Sequence, residues 1–522
     1  MNAADIAPAA ASDAPAARPA ARLADRHARF HELVARWAAE RPDAIAIEEG
    51  ARRLTWAELE REVDAVAAAL TAAGLRPRDR ILLAAENSAS AITLVTAANR
   101  LDACVSILNA RMKASEIQAI ADFAQPRLIA FPLVDGGGAA QALAAEFGAA
   151  PLYADASIGE IHALPAADVA PLTEAESHLG LIMFTSGTTG TPKGVMLSNA
   201  TLLAQAEAQV INRELSTADS IYLVSPIAHS IGLSSNVLSA FAAGARLHVA
   251  PRFSVAHLVE QVAAGEVTMM VAVPQLYTRM LEHIEAAGLD MSGAKLRAAG
   301  SGGASLDPAL KAKVKEVIGV TLSNGYGATE FVPVTRVPMG MEAASNVVGL
   351  PSPGVEIRIV DDEGRDVPAG ESGEIWAKGP FCMQGYYKAP EETAKVLMPG
   401  GWLATGDLGE IRPDGMLAIV GRKKEVIIRS GFNVYPADVE AALSAHDDVQ
   451  EAAVLGRAVP GNEEVVGFVT AAPGRKVDPA AVIAFARESL TAYKVPSEVI
   501  VLEAMPIGPT GKIQKALLKD RL

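Results

Sequence analysis

The run LIMF at Leu181–Phe184 leads directly into TSGTTGTPKG at Thr185–Gly194, and the reading of that junction decides the fold class. A short apolar run closed by glycine and threonine reads as a buried strand ending in a loop. The loop carries three glycines and four threonines in ten residues. Free N–H and hydroxyl donors at that density can wrap phosphate oxygens, and Lys193 adds a positive charge. The Walker A spacing G-x-x-x-x-G-K-[ST] cannot be fitted to it. Outward from this point the same unit recurs: apolar run, turn, helix. Phe30–Glu40 reads as a helix. Thr55–Ala73 is an amphipathic helix with Leu59, Val63, Val66 and Leu70 on one face, stopped by Gly74 and followed by the buried strand Ile81–Ala84. Ile221–Val224 runs into Ser225–Pro226, and Thr268–Val273 into Pro274. Strands alternating with helices predict α/β layers with mostly parallel sheets.

The texture changes near Asn346. Val355–Val360, Glu374–Ala377 and Met416–Val420 are short β-like runs between Gly, Pro and Asp turns, which predicts a small antiparallel or barrel-like unit. A further α+β segment follows Gly421. Its strands are expected near Val426–Ile428, Ala452–Leu455 and Val465–Val469, and its helices near Ala437–Ala445 and Pro479–Ser489. The organisation read from this is a tail over 1–22, a large domain over 23–420 and a small domain over 421–522. The tail is an Ala/Pro-rich mixture of the kind that stays disordered.

Composition narrows the function. With 46 Lys plus Arg against 61 Asp plus Glu, the net charge of −15 argues against a general nucleic-acid binder, which needs a basic footprint. Two cysteines, Cys104 and Cys382, exclude a disulfide scaffold and favour a reducing compartment, so a cytoplasmic location is expected. No Cys/His spacing suggests structural zinc. The longest uncharged stretch, Ser220–Ala245, is broken by Pro226, His229, Gly232 and Asn236, which predicts a strand, a loop and a helix and no membrane span. The first 22 residues lack the apolar core of a secretory signal.

TSGTTGTPKG resembles the phosphate-binding signature of the acyl-adenylate-forming superfamily, which includes acyl-CoA synthetases, peptide-synthetase adenylation domains and beetle luciferases. Five further segments resemble that superfamily's motifs, in its order. GGA at Gly302–Ala304 matches the adenine-side glycine turn, and YGATE at Tyr326–Glu330 the adenine and magnesium motif. WLATGDL at Trp402–Leu408 matches the ribose motif, and GRKKEVIIRSGFNVYP at Gly421–Pro436 the hinge and thiol-side motif. PIGPTGKIQK at Pro506–Lys515 matches the C-terminal lysine motif. The resemblance spans about Leu23 to Leu522.

The resemblance assigns roles residue by residue. Thr185, Ser186, Gly187, Thr188, Thr189, Gly190 and Lys193 would hold the ATP phosphates. Gly302, Gly303, Ala304, Asn324, Gly325, Tyr326 and Gly327 would surround the adenine, and Thr329 would join them. Tyr326 offers a flat apolar face to a purine. Glu330 is a hard oxygen ligand suited to a Mg²⁺ that bridges phosphates, and is the metal residue. Asp407 can accept two ribose hydroxyls, and Arg422 would reach the ribose as well. Lys512 would hold the substrate carboxylate and the α-phosphate, so that Lys512, Thr329 and Glu330 form the catalytic set. Taken alone, Lys512 is a lysine in a Gly/Pro/Thr loop, Asp407 a turn residue and Arg422 one arginine in a basic turn.

His229, Gly232, Gly302 and Gly327 are assigned to the acyl pocket. Ser430, Gly431, Phe432 and Asn433 are assigned to the CoA side, and Lys423 to the hinge. Asn199 departs from a histidine common in the family, and Ser430 from the first glycine of a Gly-Gly pair.

The activity implied is an ATP-dependent acid–CoA ligase using ATP, Mg²⁺ and CoA. A carboxylate and ATP give acyl-AMP and pyrophosphate; acyl-AMP and CoA then give acyl-CoA and AMP. Only ten residues follow Lys512, so no fused carrier domain is expected, which favours free CoA over a carrier-protein thiol. Loading of a carrier protein, or a non-catalytic nucleotide-binding homologue, are the alternative readings. His229–Leu233, Ser301–Ser305 and Phe331–Thr335 show no cluster of basic residues, Arg336 being the nearest, and aromatics are 5% of the chain. The expected acid is therefore a medium-size aliphatic or aryl monocarboxylate. A homodimer is left open.

Overall fold

Thr55 opens the helix Trp56–Ala72 with a reciprocal capping box: its side chain accepts from the Glu58 N–H, and Glu58 accepts from the Thr55 N–H at 2.8 Å. Leu59, Val63, Val66 and Leu70 are all fully buried, as their spacing predicts. The computed structural model describes residues 23–522 apart from 167–168, 186–192, 303–305, 345, 431, 461 and 509–512. The expected tail over 1–22 lies outside the described residues.

Two large sheets carry the first part of the chain. One has seven strands in the spatial order Leu322–Asn324, Ala298–Ser301, Met269–Ala272, Ser220–Leu223, Arg246–Val249, Ile45–Glu49 and Arg52–Thr55. All its pairings are parallel except the last. The other has eight strands. Its centre, made of Leu179–Thr185, Cys104–Asn109, Arg80–Ala85 and Leu128–Pro132, is parallel. Antiparallel strands close both its edges. The sheets are thus parallel at heart and mixed overall.

Ile47 and Leu54 from the first sheet share one apolar core with Ile81 and Leu83 from the second. Leu59, Leu94 and Leu202, from helices, belong to the same core. Helix Ala89–Arg100 has every residue but the last buried, as a helix enclosed between two sheets must be. The outer faces are covered by helices Val255–Ala263, Pro274–Ala287 and Pro308–Ile318 on one side. Ala114–Ala124 and Ala139–Phe147 cover the other.

The β-rich texture after Asn346 is a separate seven-stranded antiparallel sheet. It includes Val347–Pro351, Glu356–Val360, Gly373–Lys378, Trp402–Ile411 and Leu417–Arg422. A one-turn 3₁₀ helix, Lys423–Glu425, follows directly. The last part of the chain is α+β. A hairpin of Ile427–Arg429 and Phe432–Val434 precedes a three-stranded sheet of Val449–Val459, Asn462–Ala471 and Glu498–Leu502, packed by helices Pro436–Ser444 and Pro479–Ser489. Ser220–Ala245 folds as a strand, a loop and a helical run whose middle, Leu233–Leu238, is π-helical. Among the described residues no helix is long and apolar enough to cross a membrane.

Candidate active site

Strand Leu179–Thr185 turns back as the antiparallel strand Lys193–Ser198, with Thr185 paired to Lys193. The Gly/Thr loop thus connects two paired antiparallel strands. Ser186, Gly187, Thr188, Thr189 and Gly190 lie outside the described residues, but its two anchor residues are placed. Lys193 Nζ meets Glu392 Oε2 at 2.7 Å and stands 4.9 Å over the Tyr386 ring.

A cavity of about 1070 Å³ opens between this hairpin and the C-terminal ends of the seven-stranded sheet. That is where parallel α/β sheets place their ligands, outside the carboxyl ends of the strands. Thr185, His229, Gly302, Asn324, Gly325, Tyr326, Gly327, Thr329, Glu330 and Arg422 all line it. Gly303 and Ala304 lie outside the described residues. Gly327 is required sterically, because a Cβ there would sit 2.9 Å from Val332 Cγ2 and 3.2 Å from the Phe331 carbonyl.

The Tyr326 hydroxyl donates to Asp407 Oδ2 at 2.7 Å, and Arg422 Nε meets Asp407 Oδ1 at 3.1 Å. Burial, and then the Asp407 charge, hold the Tyr326 phenol well above its usual pKa, so it stays a neutral donor. Asp407 thus faces Arg422 across neighbouring strands, paired in register. Its carboxylate is buried yet satisfied, a rigid acceptor for a sugar hydroxyl.

Glu330 Oε1 accepts from the Tyr386 hydroxyl at 2.8 Å, while its backbone carbonyl accepts from the Met383 N–H at 2.8 Å. Burial and the Glu330 charge push the Tyr386 phenol upward, which keeps it a donor. A Mg²⁺ carried on ATP phosphates needs one or two protein carboxylates and no full protein cage. Glu330, oriented by Tyr386 and lining the cavity, fits that demand.

His229 Nδ1 accepts from the Ile231 N–H at 3.2 Å, which places any ring proton of the neutral form on Nε2. Gly232 does not line the cavity. A Cβ on it would fall 2.0 Å from the Pro226 carbonyl, so its role is close backbone packing behind the wall. Asn199 is buried structure: its Oδ1 accepts from Asn99 Nδ2 at 2.8 Å.

Lys512 lies outside the described residues. The residues flanking that loop, Gly508 on one side and Ile513 and Gln514 on the other, line the cavity. Ser430, Phe432 and Asn433 do not, and Gly431 is outside the described residues. Ser430 holds a left-handed φ of +52°, which explains why glycine suits that position. Its N–H donates to Asn462 Oδ1 at 2.6 Å. Phe432, 55% exposed, stacks on Tyr493 at 4.7 Å.

Lys423 Nζ is held by Asp362 Oδ1 at 2.8 Å and Glu374 Oε2 at 3.2 Å, and the Asp362 contact raises its pKa. Glu374 Oε1 also accepts from the Gly406 N–H at 3.1 Å, in the segment that carries Asp407. Tyr386, Glu392, Asp362 and Glu374 were not picked out from sequence. No spacing signal marks them, because each reaches its partner across the fold.

The comparisons with known proteins agree with this geometry. The model of the AMP-binding enzyme family matches residues 34–387, and that of the AMP-binding enzyme C-terminal domain matches 438–512. A feruloyl-CoA synthase from Amycolatopsis sp is 32% identical over 92% of this chain and 96% of its own length. An indoleacetate–CoA ligase from Aromatoleum aromaticum is 32% identical over 93% and 96%. The crystal structure of ATP-bound MatB from Rhodopseudomonas palustris superposes with a TM-score of 0.82 at 28% identity, over 94% of this chain and 98% of that one. Matched by both domain models and by these relatives along nearly all its length, the chain belongs to the acyl-adenylate-forming AMP-binding enzymes, as an AMP-forming ligase of the acyl-CoA synthetase type.

Proposed function

We propose that the enzyme activates a medium-size carboxylic acid with an aliphatic or aryl body and passes it to free CoA. The observation that carries this reading is the single cavity shared by the phosphate hairpin, the Tyr326–Glu330 turn, Arg422 and the flanks of the Lys512 loop. A nucleotide and an acid of more than a few carbons fit together in that volume.

In the first step a carboxylate oxygen attacks the α-phosphorus of ATP, the bond to the β-phosphate breaks, and pyrophosphate leaves. Two anions must meet, so the cost is electrostatic. Lys512 meets it with an ammonium placed between carboxylate and α-phosphate. Thr329 and the hairpin donors hold the phosphates, and Asp407, braced by Tyr326 and Arg422, fixes the ribose. A Mg²⁺ on Glu330 would neutralise phosphate charge when bound. In the second step the CoA sulfur attacks the acyl carbonyl, AMP leaves and a thioester forms. The Ser430–Asn433 face, which stands away from the cavity in this arrangement, would come to it for that step.

Acid-dependent exchange of pyrophosphate into ATP tests the first step, and thioester formation with CoA the second. No exchange with any acid in a broad panel would overturn the reading. Exchange without a CoA thioester would point to a carrier-protein thiol. Glu330→Gln keeps the shape of the side chain and removes its charge. It is expected to raise the Mg²⁺ concentration giving half-maximal exchange and to raise the apparent KM for ATP. An unchanged Mg²⁺ titration would remove Glu330 from the metal site.

A further inference from the structure

The cavity wall carries a positive charge that no carboxylate pairs with among the described residues. Helix Asn199–Arg213 follows the return strand of the phosphate hairpin and runs 15 residues. Its last residue, Arg213, lines the cavity. Nη1 donates to the Ser235 carbonyl at 2.6 Å, and among the described residues the side chain makes no other hydrogen bond and pairs with no carboxylate. Burial lowers its pKa to about 10, with only the neutral Tyr277 phenol as a titratable neighbour. Arg213 is half-buried, and an acid body filling the cavity would take it out of water, where an uncompensated charge is costly.

The surroundings are polar in the same sense. Arg336 lines the cavity, and among the described residues it has no ion pair and its buried Nε no partner. Ser301 Oγ, also on the wall, has none. Gln209 Nε2 donates to Ser235 Oγ at 3.2 Å. Of the other arginines on the wall, Arg297 is neutralised by Asp219 at 2.7 Å, Arg422 meets Asp407 at 3.1 Å, and Arg111 is exposed. The carboxylates on the wall are engaged at the nucleotide end or on the surface: Glu330 with Tyr386, and Glu116 with the Lys113 N–H. An apolar chain terminus placed against Arg213 would leave the guanidinium buried and unanswered.

We propose that the acid carries a second carboxylate, held in the cavity by Arg213, with Arg336 as a second, half-buried cation on its wall. This rests on the acid–CoA ligase reading and replaces the monocarboxylate expected from sequence. That expectation weighed only the segments around His229, Gly302 and Phe331. Arg213 enters from a helix outside all three.

The test is pyrophosphate exchange with the full-length enzyme and matched acids. The straight-chain diacids from glutarate to sebacate, and phenylene diacetates, are each compared with the ω-monoamide, which keeps the shape and removes the charge. At least one diacid is expected to exceed its monoamide in kcat/KM by about tenfold or more, since a site built for a charged partner discriminates strongly against an analogue that leaves it unpaired. Arg213→Gln should collapse that ratio towards one, and Arg213→Lys should retain part of it. Exchange in which every monoamide matches its diacid overturns the second-carboxylate site and leaves the ligase reading intact. Exchange with no acid at all overturns both. A diacid preference that survives Arg213→Gln unchanged removes Arg213 from the site, and with it the inference. The wild-type comparison needs no variant, so a misfolded variant does not spare the proposal.

Discussion

Lys512→Ala is expected to slow acyl-adenylate formation by roughly 10²- to 10³-fold, the usual loss when one preorganised stabilising group is removed from a charged transition state. Thioester formation from pre-made acyl-AMP should stay close to the wild-type rate, because the lysine has no task once the pyrophosphate has gone. The asymmetry follows from the site. Gly508, Ile513 and Gln514, on either side of the Lys512 segment, line the cavity, while Ser430, Phe432 and Asn433 do not. Lys515, three residues beyond Lys512, is held: its Nζ meets Glu425, the last residue of the 3₁₀ turn, at 2.8 Å, and Glu440 of helix Pro436–Ser444 at 2.9 Å. Burial disfavours the Lys515 ammonium, but Glu440 and Glu425 outweigh it, and its pKa is raised. Stopped-flow measurement of pyrophosphate release, beside CoA-dependent AMP release from synthetic acyl-AMP, separates the two steps. Equal losses in both would defeat the assignment of Lys512 to the first step alone.

What could be read from sequence here was local, and what could not was long-range. The helix Thr55–Ala73 was legible because both its capping residues and its apolar stripe lie within seventeen residues of each other, and the structure has it at Trp56–Ala72. The runs at Val355, Glu374 and Met416 were legible as β because the turns between them are marked by Gly, Pro and Asp. The return strand Lys193–Ser198 was missed, since its short apolar run follows the Gly/Thr loop with no turn signal of its own. Partner residues were invisible for the same reason at larger scale. Glu392 reaches Lys193 across 199 positions and Tyr386 reaches Glu330 across 56. Neither residue type carries a functional signal alone, and only the folded chain brings them to the phosphate side. Arg213 is the sharpest case. On its helix it reads as a basic residue in the last turn, favourable to the helix dipole. Its meaning comes from what faces it, and among the described residues no carboxylate pairs with it.

The hinge gives the second large effect. Lys423→Pro is expected to leave acyl-adenylate formation running and to abolish most thioester formation. The direction follows from the backbone. Arg422, the residue before, has φ −112° and ψ 134°, in the extended region that a following proline demands. Lys423 itself opens the 3₁₀ turn Lys423–Glu425, a first helical position where the ring of proline fits and its missing N–H costs nothing. Proline is therefore compatible with the present arrangement, in which Gly508, Ile513 and Gln514 line the cavity. It fixes φ near −65° and so resists the dihedral change that a hinge must absorb to bring the Ser430–Asn433 face round. The substitution also deletes the ammonium that bridges Asp362 and Glu374. Lys423→Ala removes the same charge without fixing the backbone, and serves as the control. If the trap is conformational, the alanine variant should run both steps while the proline variant stops after acyl-AMP, which would accumulate bound to the enzyme. If alanine and proline fail alike, the ion pairs and not the hinge are responsible. A proline variant that runs both steps at the wild-type rate places the pivot elsewhere than Lys423.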